Sequence, residues 1–350
     1  MPSKKQKHLL ILRFSAMGDV AMTVPVVRAL AQQHPNLKIT VVSRFEYKPF
    51  FDGIPNLNFY EADFNKMHKG IMGLWKLFRQ LRNLHIYAVA DLHNVLRSKI
   101  ITTLFSLRGK KTATTNKMRH ERAALIAPKN KVMQPLPQVT QLHTEVLAQL
   151  GFPVDLDKAD FPPKQLLSDD IVAVTGTKTG RWIGIAPFAQ HSSKVYPKDL
   201  MLQVIDTLAQ DPVTKIFLFG GGRNEAKILK HYAAERPNII VIAGGLFILR
   251  QELKLISNLD IMLSMDSANA HMAAMLGVKA VTLWGATHPY AGFAPFKQPL
   301  SYAITANREE YPLLPTSVYG NKKVEGYEDA MRTISPDVVV AKINEVLADA

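Results

Sequence analysis

An aspartate, a serine, an asparagine and a histidine lie within six positions of one another after a short apolar run. The segment reads DSANAH from Asp266 to His271, and the preceding residues 260–264 predict a buried strand. A helix is predicted over residues 271–276 and a second strand over 278–284. The start of this helix would offer free backbone N–H groups and a positive dipole end to an anion such as a phosphate. Asp266 could also accept a hydrogen bond from a ligand hydroxyl. The simpler alternative is that Asp266 or Ser267 only caps the helix and His271 only packs within it.

A second carboxylate, Asp19, follows another short apolar run near the start of the chain. Residues 9–12 predict a strand, Gly18 permits a tight turn, and the apolar spacing of residues 20–32 predicts a helix. The turn has neither the G-x-G-x-x-G of dinucleotide folds nor the G-x-x-x-x-G-K-[ST] of P-loop proteins, which disfavours both chemistries. The simplest structural role of Asp19 is a helix cap.

Strands and helices that could position these residues alternate along the whole chain, which predicts an α/β protein with parallel sheets. Ligands of such sheets bind at the carboxyl ends of the strands. With 350 residues the chain is too long for one core, and residues 152–164 are rich in Pro and Asp. We therefore predict an N-terminal domain over 1–160 and a C-terminal domain over 161–350. The last helix, after Ser335-Pro336, is expected to pack back on the N-terminal domain.

The composition restricts the chemistry that the chain can perform. There is no cysteine, so disulfides, thiolate nucleophiles and cysteine-ligated metals are excluded. The 11 histidines are dispersed without an H-E-x-x-H motif, so no metal is expected. No apolar run approaches the roughly 20 residues of a membrane-spanning helix, and the first apolar run is too short for a signal peptide. These features predict a cytoplasmic protein.

The charge of the chain is strongly basic. Its 43 Lys and Arg outnumber 29 Asp and Glu, which gives a net charge of +14 and predicts an anionic partner. Basic patches occur at residues 4–7, 108–117 and 322–323. No nucleic-acid-binding motif accompanies them, so nucleic acid is not an expected partner. Each patch could also be an ordinary solvated surface.

Four motifs in register then identify a family. ILRFSAMGDVAMTVPVVRAL, QHSSKVYP, LFGGGRNE and MDSANAHMAAMLGVKAVTLWGATHP occur in this order, and the late EDAMRTISPDVVVAKI extends the match. Together they resemble glycosyltransferase family 9, the ADP-heptose:lipopolysaccharide heptosyltransferases. The resemblance implies a GT-B fold, in which two Rossmann-like parallel-sheet domains face a central cleft. It also implies that the N-terminal domain binds the acceptor and the C-terminal domain binds the nucleotide sugar.

The resemblance also assigns roles to single residues. Asp19 matches the family's general base, Lys194 the lysine that neutralises the donor diphosphate, and His271 a histidine close to that diphosphate. Where the family has glycine, this chain has Ala268, which would cost roughly 1 kcal/mol if the position needs a positive φ. The donor-side positions are Lys194, Asp266, Ser267, Ala268, His271 and Thr287; the acceptor-side candidates are Gly18, His93, Asn94, Arg97 and Ser98.

The implied activity is inverting transfer of a sugar, expected to be heptose, from an ADP-sugar to a lipopolysaccharide core or a similar lipid-linked saccharide. The scheme needs no metal and no cofactor beyond the ADP-sugar donor. The acceptor would be anionic and lipid-linked, so basic patches would hold the protein peripherally on the inner leaflet. Two alternatives remain: a nucleotide-sugar epimerase of GT-B fold, and a non-catalytic nucleotide-binding paralogue. The oligomeric state is not specified by the sequence.

Overall fold

A computed structural model describes residues 6–349. They form two compact units: one runs to Met118 and adds Gln138–Phe161, and the other joins Arg119–Pro137 to the chain from Pro162 onward. Residues 119–137 thus lie in the second unit, although they precede the predicted boundary near residue 160. The Leu136 N–H donates to the Tyr290 carbonyl over 2.9 Å within that unit. Part of the predicted basic patch at residues 4–7 lies outside the described residues.

From residue 6 onward, the described part of the first unit contains five strands and four α-helices. The strands are β1 (His8–Leu12), β2 (Lys38–Ser43), β3 (Leu57–Glu61), β4 (Ala88–Asp91) and β5 (Lys111–Thr114). The helices are α1 (Met17–Gln33), α2 (Gly70–Arg82), α3 (Leu96–Ser106) and, after α4 (Arg119–Leu125) of the other unit, α5 (Val139–Gln149). The strands are parallel, in the order β3-β2-β1-β4-β5.

The sheet of the first unit is buried because its strands are apolar and helices cover it. Leu10 and Leu12 of β1 share a core with Phe78 of α2 and Phe105 of α3. The helices α2 and α3 also pack against each other. The apolar face of α2 is therefore used within the unit, and its opposite face is left to solvent.

The second unit has six strands and seven helices within the described residues. The strands are β6 (Arg181–Ala186), β7 (Thr214–Phe219), β8 (Ile239–Ile242), β9 (Ile261–Met265), β10 (Lys279–Trp284) and β11 (Ala303–Thr305). Besides α4, the helices are α6 (Asp169–Thr175), α7 (Lys198–Ala209), α8 (Arg223–Ala233), α9 (Leu249–Ile256), α10 (Ala268–Met275) and α11 (Pro336–Ala348). The strands are again parallel, in the order β11-β10-β9-β6-β7-β8.

Each sheet has one point where the strand order reverses. In the first unit this switch point lies between β1 and β4, and in the second between β6 and β9. The loops that leave two such strands diverge to opposite sides of the sheet and leave a crevice at the carboxyl ends, where ligands of open parallel sheets bind. The predicted α/β class with two parallel sheets is confirmed.

The last helix, α11, contributes to the core of the second unit. Val339, Ile343 and Val346 are fully buried there, and the helix packs on α7, β9 and β10. Ser335 caps it as predicted, since its hydroxyl accepts the Val338 N–H over 3.4 Å ahead of a proline in the first turn. Its apolar face therefore packs within this unit, and the expected packing of the helix on the N-terminal domain stays a prediction.

A membrane-spanning helix would need a long, apolar stretch. Among residues 6–349 no helix has the length and apolarity to cross a bilayer.

Candidate active site

Three predicted donor-side residues meet at the switch point of the second unit. Lys194 follows β6, Asp266 follows β9 and Thr287 follows β10. The Lys194 Nζ lies 2.9 Å from Asp266 Oδ2, and the Thr287 hydroxyl donates to the same oxygen over 2.8 Å. The ion pair is largely buried, with side-chain exposures of 13% for Lys194 and 10% for Asp266. Because the pair is buried, removal of either residue would leave an uncompensated charge with little access to solvent.

The helix α10 begins directly beside this ion pair. It starts at Ala268, three residues earlier than the predicted start at His271, so His271 lies in its first turns and is 7% exposed. Ser267 occupies the cap position, but its hydroxyl contacts that of Ser264 at 3.0 Å and makes no capping hydrogen bond. The first N–H groups of α10 therefore face the end of the sheet without a side-chain cap from Ser267. Such a helix start favours an anion.

Ala268 is compatible with this helix start. It has helical backbone geometry and is not among the described non-glycine residues with positive φ. The conformational cost considered for alanine at this position therefore does not arise. The departure from the family glycine leaves the backbone of the donor loop unstrained.

The loop that carries Lys194 is fixed by close backbone approaches. The Ser193 hydroxyl donates to the Gly320 carbonyl over 2.7 Å, and the Ser193 carbonyl accepts the Ala286 N–H over 3.1 Å. A β-carbon at Gly285 would stand 2.7 Å from the Ser193 carbonyl oxygen. Only glycine at residue 285 allows the end of β10 to approach the lysine loop this closely.

In the first unit, Asp19 lies beside an arginine at the end of β1. Asp19 is the third residue of α1, where its carboxylate accepts the Ala16 N–H over 3.3 Å. The Arg13 Nη2 lies 2.5 Å from Asp19 Oδ2, and Arg13 Nη1 donates to the Leu92 carbonyl over 2.7 Å. Asp19 is thus not the N-cap residue. Its carboxylate is held by a guanidinium that bridges to the end of β4, and it remains 32% exposed.

The helix also changes the expected role of Gly18. A tight turn was expected at this residue, with the helix beginning at residue 20. Instead α1 begins at Met17, so Gly18 lies in its first turn. The apolar pattern of the helix begins only at Val20, which explains the difference.

The loop after β4 is organised by Asp91, which is fully buried. Its carboxylate accepts the N–H groups of His93 over 2.9 Å and Asn94 over 2.8 Å, and the Ser98 hydroxyl over 2.9 Å. Burial raises the pKa of Asp91, against the effect of these hydrogen bonds. Ser98 is fully buried as well, so its hydroxyl is used to hold the loop.

His93 follows β4 and lies near the Arg13–Asp19 pair, which follows the adjacent strand β1. Its Nδ1 accepts the Phe14 N–H over 3.3 Å, so the ring is neutral with its proton on Nε2. Burial, aided by Arg13, lowers the pKa of His93 to about 3. The ring can therefore donate a hydrogen bond from Nε2 at neutral pH but carries no charge.

The remaining acceptor-side candidates differ in their accessibility. Asn94 has a positive φ of 52° and donates from its amide to the Thr115 carbonyl over 2.7 Å, so it stabilises the loop. Arg97 is exposed at the start of α3, with its guanidinium 5.2 Å from the centre of the Phe64 ring. Of these positions, Arg97 is the one that offers a charged group to solvent.

Within residues 6–349, no group of three or more His, Cys, Asp or Glu side chains is arranged to hold a metal ion.

Three residues with a direct part in this geometry were missed by the sequence analysis. Arg13 pairs with Asp19, while Ser193 and Gly320 fix the Lys194 loop. Arg13 had a detectable signal, because it directly follows the apolar run of β1 and precedes the Gly-Asp pair. Gly320 had none, because it is 126 positions from Lys194 and lies in a segment without regular structure.

The two sheets, each with polar residues at its switch point, define a protein of two Rossmann-like units. The same arrangement occurs in a family 9 glycosyltransferase from Veillonella parvula, with a TM-score of 0.76, 19% identity and coverage of 99% of this chain and 98% of that one. The ADP-heptose lipopolysaccharide heptosyltransferase II of Escherichia coli gives a TM-score of 0.66 at 21% identity, covering 98% and 99%. These likenesses confirm the predicted GT-B fold.

The sequence gives the family directly. The model of glycosyltransferase family 9 (heptosyltransferase) matches residues 74–324, and the chain belongs to this family. It is similar to the lipopolysaccharide core heptosyltransferase OpsX of Haemophilus influenzae, with 23% identity over 287 residues, covering 81% of this chain and 80% of the relative. The chain is therefore a glycosyltransferase, as predicted.

Proposed function

We propose that the protein is an inverting transferase that moves heptose from ADP-heptose to the core of a lipopolysaccharide or a similar lipid-linked saccharide. The observation that carries the proposal is the buried Lys194–Asp266 pair beside the uncapped start of α10. Family membership supports glycosyl transfer, and the names of OpsX and of the E. coli heptosyltransferase II support heptose, ADP and lipopolysaccharide. In this scheme residues 1–160 bind the acceptor and residues 161–350 bind the donor.

On the donor side, Lys194 and the first N–H groups of α10 receive the diphosphate. The ammonium group and the positive end of the helix dipole stabilise the negative charge that develops as the diphosphate leaves. Asp266, whose carboxylate is already held by Lys194 and Thr287, accepts a hydrogen bond from a sugar hydroxyl. His271, in the first turns of the same helix, lies close to the phosphates. Ser267 and Ala268 provide the backbone of the proposed diphosphate site at the start of α10.

On the acceptor side, Asp19 is the general base. The acceptor oxygen forms a bond to the anomeric carbon while the bond from that carbon to the diphosphate breaks, and ADP leaves. The proton of the acceptor hydroxyl passes to the Asp19 carboxylate. Attack opposite the leaving group inverts the anomeric configuration. The Arg13 guanidinium, 2.5 Å from Asp19 Oδ2, holds the carboxylate in place at the end of β1.

The acceptor side also includes groups that would orient the saccharide. Gly18 gives the acceptor access to the backbone at the start of α1, while His93 offers a neutral Nε2–H and Arg97 an exposed guanidinium. Asn94 and Ser98 act through the loop that they hold. An anionic lipid-linked acceptor would place the enzyme peripherally on the cytoplasmic leaflet, which agrees with the net charge of +14.

Nucleotide selectivity is the first test. ADP, UDP, GDP and CDP are titrated into the purified protein by calorimetry, with Lys194→Ala as the matched variant. Selective binding of ADP that weakens in the variant is expected. A preference for UDP or GDP would contradict an ADP-sugar donor while leaving the fold class intact.

Product formation is the second test. The protein is incubated with ADP-heptose and a deacylated lipopolysaccharide core, and the linkage of the product is determined by nuclear magnetic resonance. Acceptor-dependent release of ADP with inverted anomeric configuration is expected. An epimerase would convert the donor without acceptor, and a non-catalytic paralogue would bind ADP and release no product; either result would overturn the proposal.

A further inference from the structure

The positive charge of the chain is concentrated in the first unit. Between residues 64 and 118 there are eleven Lys and Arg side chains and a single acidic one, Asp91, which is fully buried. This stretch contains α2, α3 and β5. Its exposed surface therefore carries positive charge without intervening carboxylates from the same stretch, which is a strong attraction for an anionic surface.

The outer face of α2 adds large apolar side chains to this charge. The helix buries Leu74, Leu77 and Leu81, as expected for a helix on a sheet. Yet Ile71 is 76% exposed, Met72 is 78% exposed and Trp75 is 43% exposed. We call this face the α2 patch; its residues are Met67, Lys69, Ile71, Met72, Trp75, Lys76, Arg79 and Arg82.

The patch has both a groove and a cationic border. Most of its members line an open groove of about 670 Å³ on the surface of the first unit. The cations Lys69, Lys76, Arg79 and Arg82 form no ion pair with any residue that the structure describes. The apolar and cationic groups are therefore both available to a partner.

The fold holds the patch in a fixed shape. The His68 ring makes a hydrogen bond of 2.9 Å between its Nε2 and the Gln80 side-chain oxygen, which ties the turn before α2 to the end of the helix. A β-carbon at Gly73 would stand 2.2 Å from the backbone carbon of His68, so this glycine allows the close approach. The Trp75 ring lies 5.5 Å from the buried Phe78 ring. The exposed apolar groups thus belong to an ordered surface.

A neighbouring segment extends the patch. The guanidinium of Arg108 lies 6.0 Å from the centre of the Phe78 ring, which places the end of α3 next to α2. Leu107 at that end is 79% exposed. The end of α3 therefore also presents an exposed apolar side chain next to a basic one.

We propose that the α2 patch docks on an anionic lipid bilayer. Ile71, Met72 and Trp75 would enter the boundary between headgroups and acyl chains, where an indole ring is favoured. The Lys and Arg side chains would extend their charged ends to lipid phosphates while their methylene stems cover apolar surface. A nucleic acid would satisfy the charges but offer no apolar phase to Ile71 and Met72. The inference rests on the proposed function for its purpose, since it names the surface that brings the enzyme to a lipid-linked acceptor.

Intrinsic fluorescence gives a direct test, because the chain has three tryptophans and two of them are buried. Trp182 and Trp284 are at most 1% exposed, so a change caused by docking reports Trp75. The full-length protein is mixed with vesicles of equal parts phosphatidylglycerol and phosphatidylethanolamine. A blue shift of the emission and quenching by brominated acyl chains are expected, and both are expected to disappear in Trp75→Phe. Unchanged emission from protein that sediments with the vesicles would overturn the proposal.

Charge reversal tests the cationic border against a matched control. Lys76→Glu with Arg79→Glu is compared with Lys227→Glu and Lys230→Glu on α8, which has the same spacing, exposure and change in net charge. The α2 double variant is expected to reduce vesicle binding about tenfold or more at low salt, and the α8 variant to bind nearly as the parent. Equal losses in both would show a general charge effect and contradict a specific patch.

The apolar part is tested in the same way. Met72→Ser with Ile71→Ser is compared with Leu166→Ser and Val213→Ser, two exposed apolar positions of the second unit. Only the α2 variant is expected to lose vesicle binding, while both retain the parent's thermal unfolding and ADP binding. If Trp75 emission instead shifts with protein concentration in the absence of vesicles, the patch is an interface between copies of the chain and the proposal fails. Vesicle binding without ADP binding would refute the donor assignment and leave the patch intact.

Discussion

Gly320 lies directly against the side chain of Lys194. A β-carbon built at residue 320 would stand 2.3 Å from Lys194 Cδ and 2.6 Å from Lys194 Cγ. The same residue accepts the Ser193 hydroxyl at its carbonyl oxygen over 2.7 Å. The segment around Gly320 therefore sets the position from which the lysine reaches Asp266. This contact makes Gly320 a positioning residue for the proposed diphosphate site.

The substitution Gly320→Ala is expected to weaken ADP binding about tenfold, because the new methyl group displaces the lysine. Its φ of +81° adds roughly 1 kcal/mol of backbone strain. Gly326→Ala is the matched control, with a φ of +77° and no atom within 4 Å of the new β-carbon. Calorimetry measures the change in ADP affinity, and thermal unfolding measures the loss of stability caused by backbone strain. Equal loss of ADP affinity in both variants would argue against positioning of Lys194 by Gly320.

The buried Lys194–Asp266 pair predicts different results for stability and for binding. Lys194→Met leaves the Asp266 carboxylate without its cation in a buried place, and is expected to lower the free energy of unfolding by about 2–4 kcal/mol. It also removes the charge proposed to bind the diphosphate, so the dissociation constant of ADP should rise at least about tenfold.

The double variant Lys194→Met with Asp266→Asn separates these effects. Stability is expected to recover, because no uncompensated charge remains. The affinity for ADP is expected to stay low. Urea unfolding and calorimetry on the same samples provide both readings. Recovery of ADP affinity in the double variant would show that Lys194 serves only to neutralise Asp266.

The proposed base predicts a loss confined to the chemical step. Asp19→Asn keeps the size of the side chain and is expected to lower kcat by about 10²–10⁴-fold, with ADP binding unchanged, since an amide cannot take the acceptor proton. Asp19→Glu, which keeps the carboxylate but moves it, is expected to retain more activity than the amide. Initial rates at saturating donor and acceptor measure both. Turnover of Asp19→Asn close to the parent would exclude Asp19 as the base.

The sequence predicted the regular part of the fold because strong periodic signals marked it. The apolar run of β1 and the unit from β9 to β10 were predicted close to their observed bounds, since buried parallel strands flanked by polar turns are distinctive. The short elements α4, α6 and β11, with 7, 7 and 3 residues, were not predicted. Elements of this length contain too few residues to display a period.

The site was predictable only where its residues belong to motifs. Asp266 and Lys194 were named from separate motifs, and their contact of 2.9 Å follows from the pairing of β6 with β9. The start of α10 was predicted too late because Asp266 to Ala270 resembles a polar turn, whereas short polar residues are equally common at a helix start, where free N–H groups can donate to them. The role of Ser98 could not be predicted either. Its hydroxyl donates to the buried carboxylate of Asp91, and the burial of Asp91 depends on the tertiary structure.

Buried neutral histidines predict that the protein loses stability in mild acid. His143 in α5 is 1% exposed, and burial, with a further contribution from Arg13, lowers its pKa to about 3. His93 has a pKa of about 3 for the same main reason. Between this value and the ordinary value of 6.5, the unfolded chain binds more protons than the folded one. The contribution of each of these histidines to stability is therefore complete above about pH 7 and falls as the pH decreases.

The expected loss at pH 5 is about 2 kcal/mol for each such histidine. His143→Asn removes one titrating group, so its stability at pH 7 is expected to be lower than that of the parent but to decline less between pH 7 and pH 5. The exposed His231 on α8 provides the control, because His231→Asn makes the same substitution at a solvent-facing position. Urea unfolding at several pH values measures, for each protein, the slope of the unfolding free energy against pH. If the slope of His143→Asn equals that of the parent, His143 does not contribute to acid sensitivity, since a buried neutral imidazole must add to the proton uptake on unfolding.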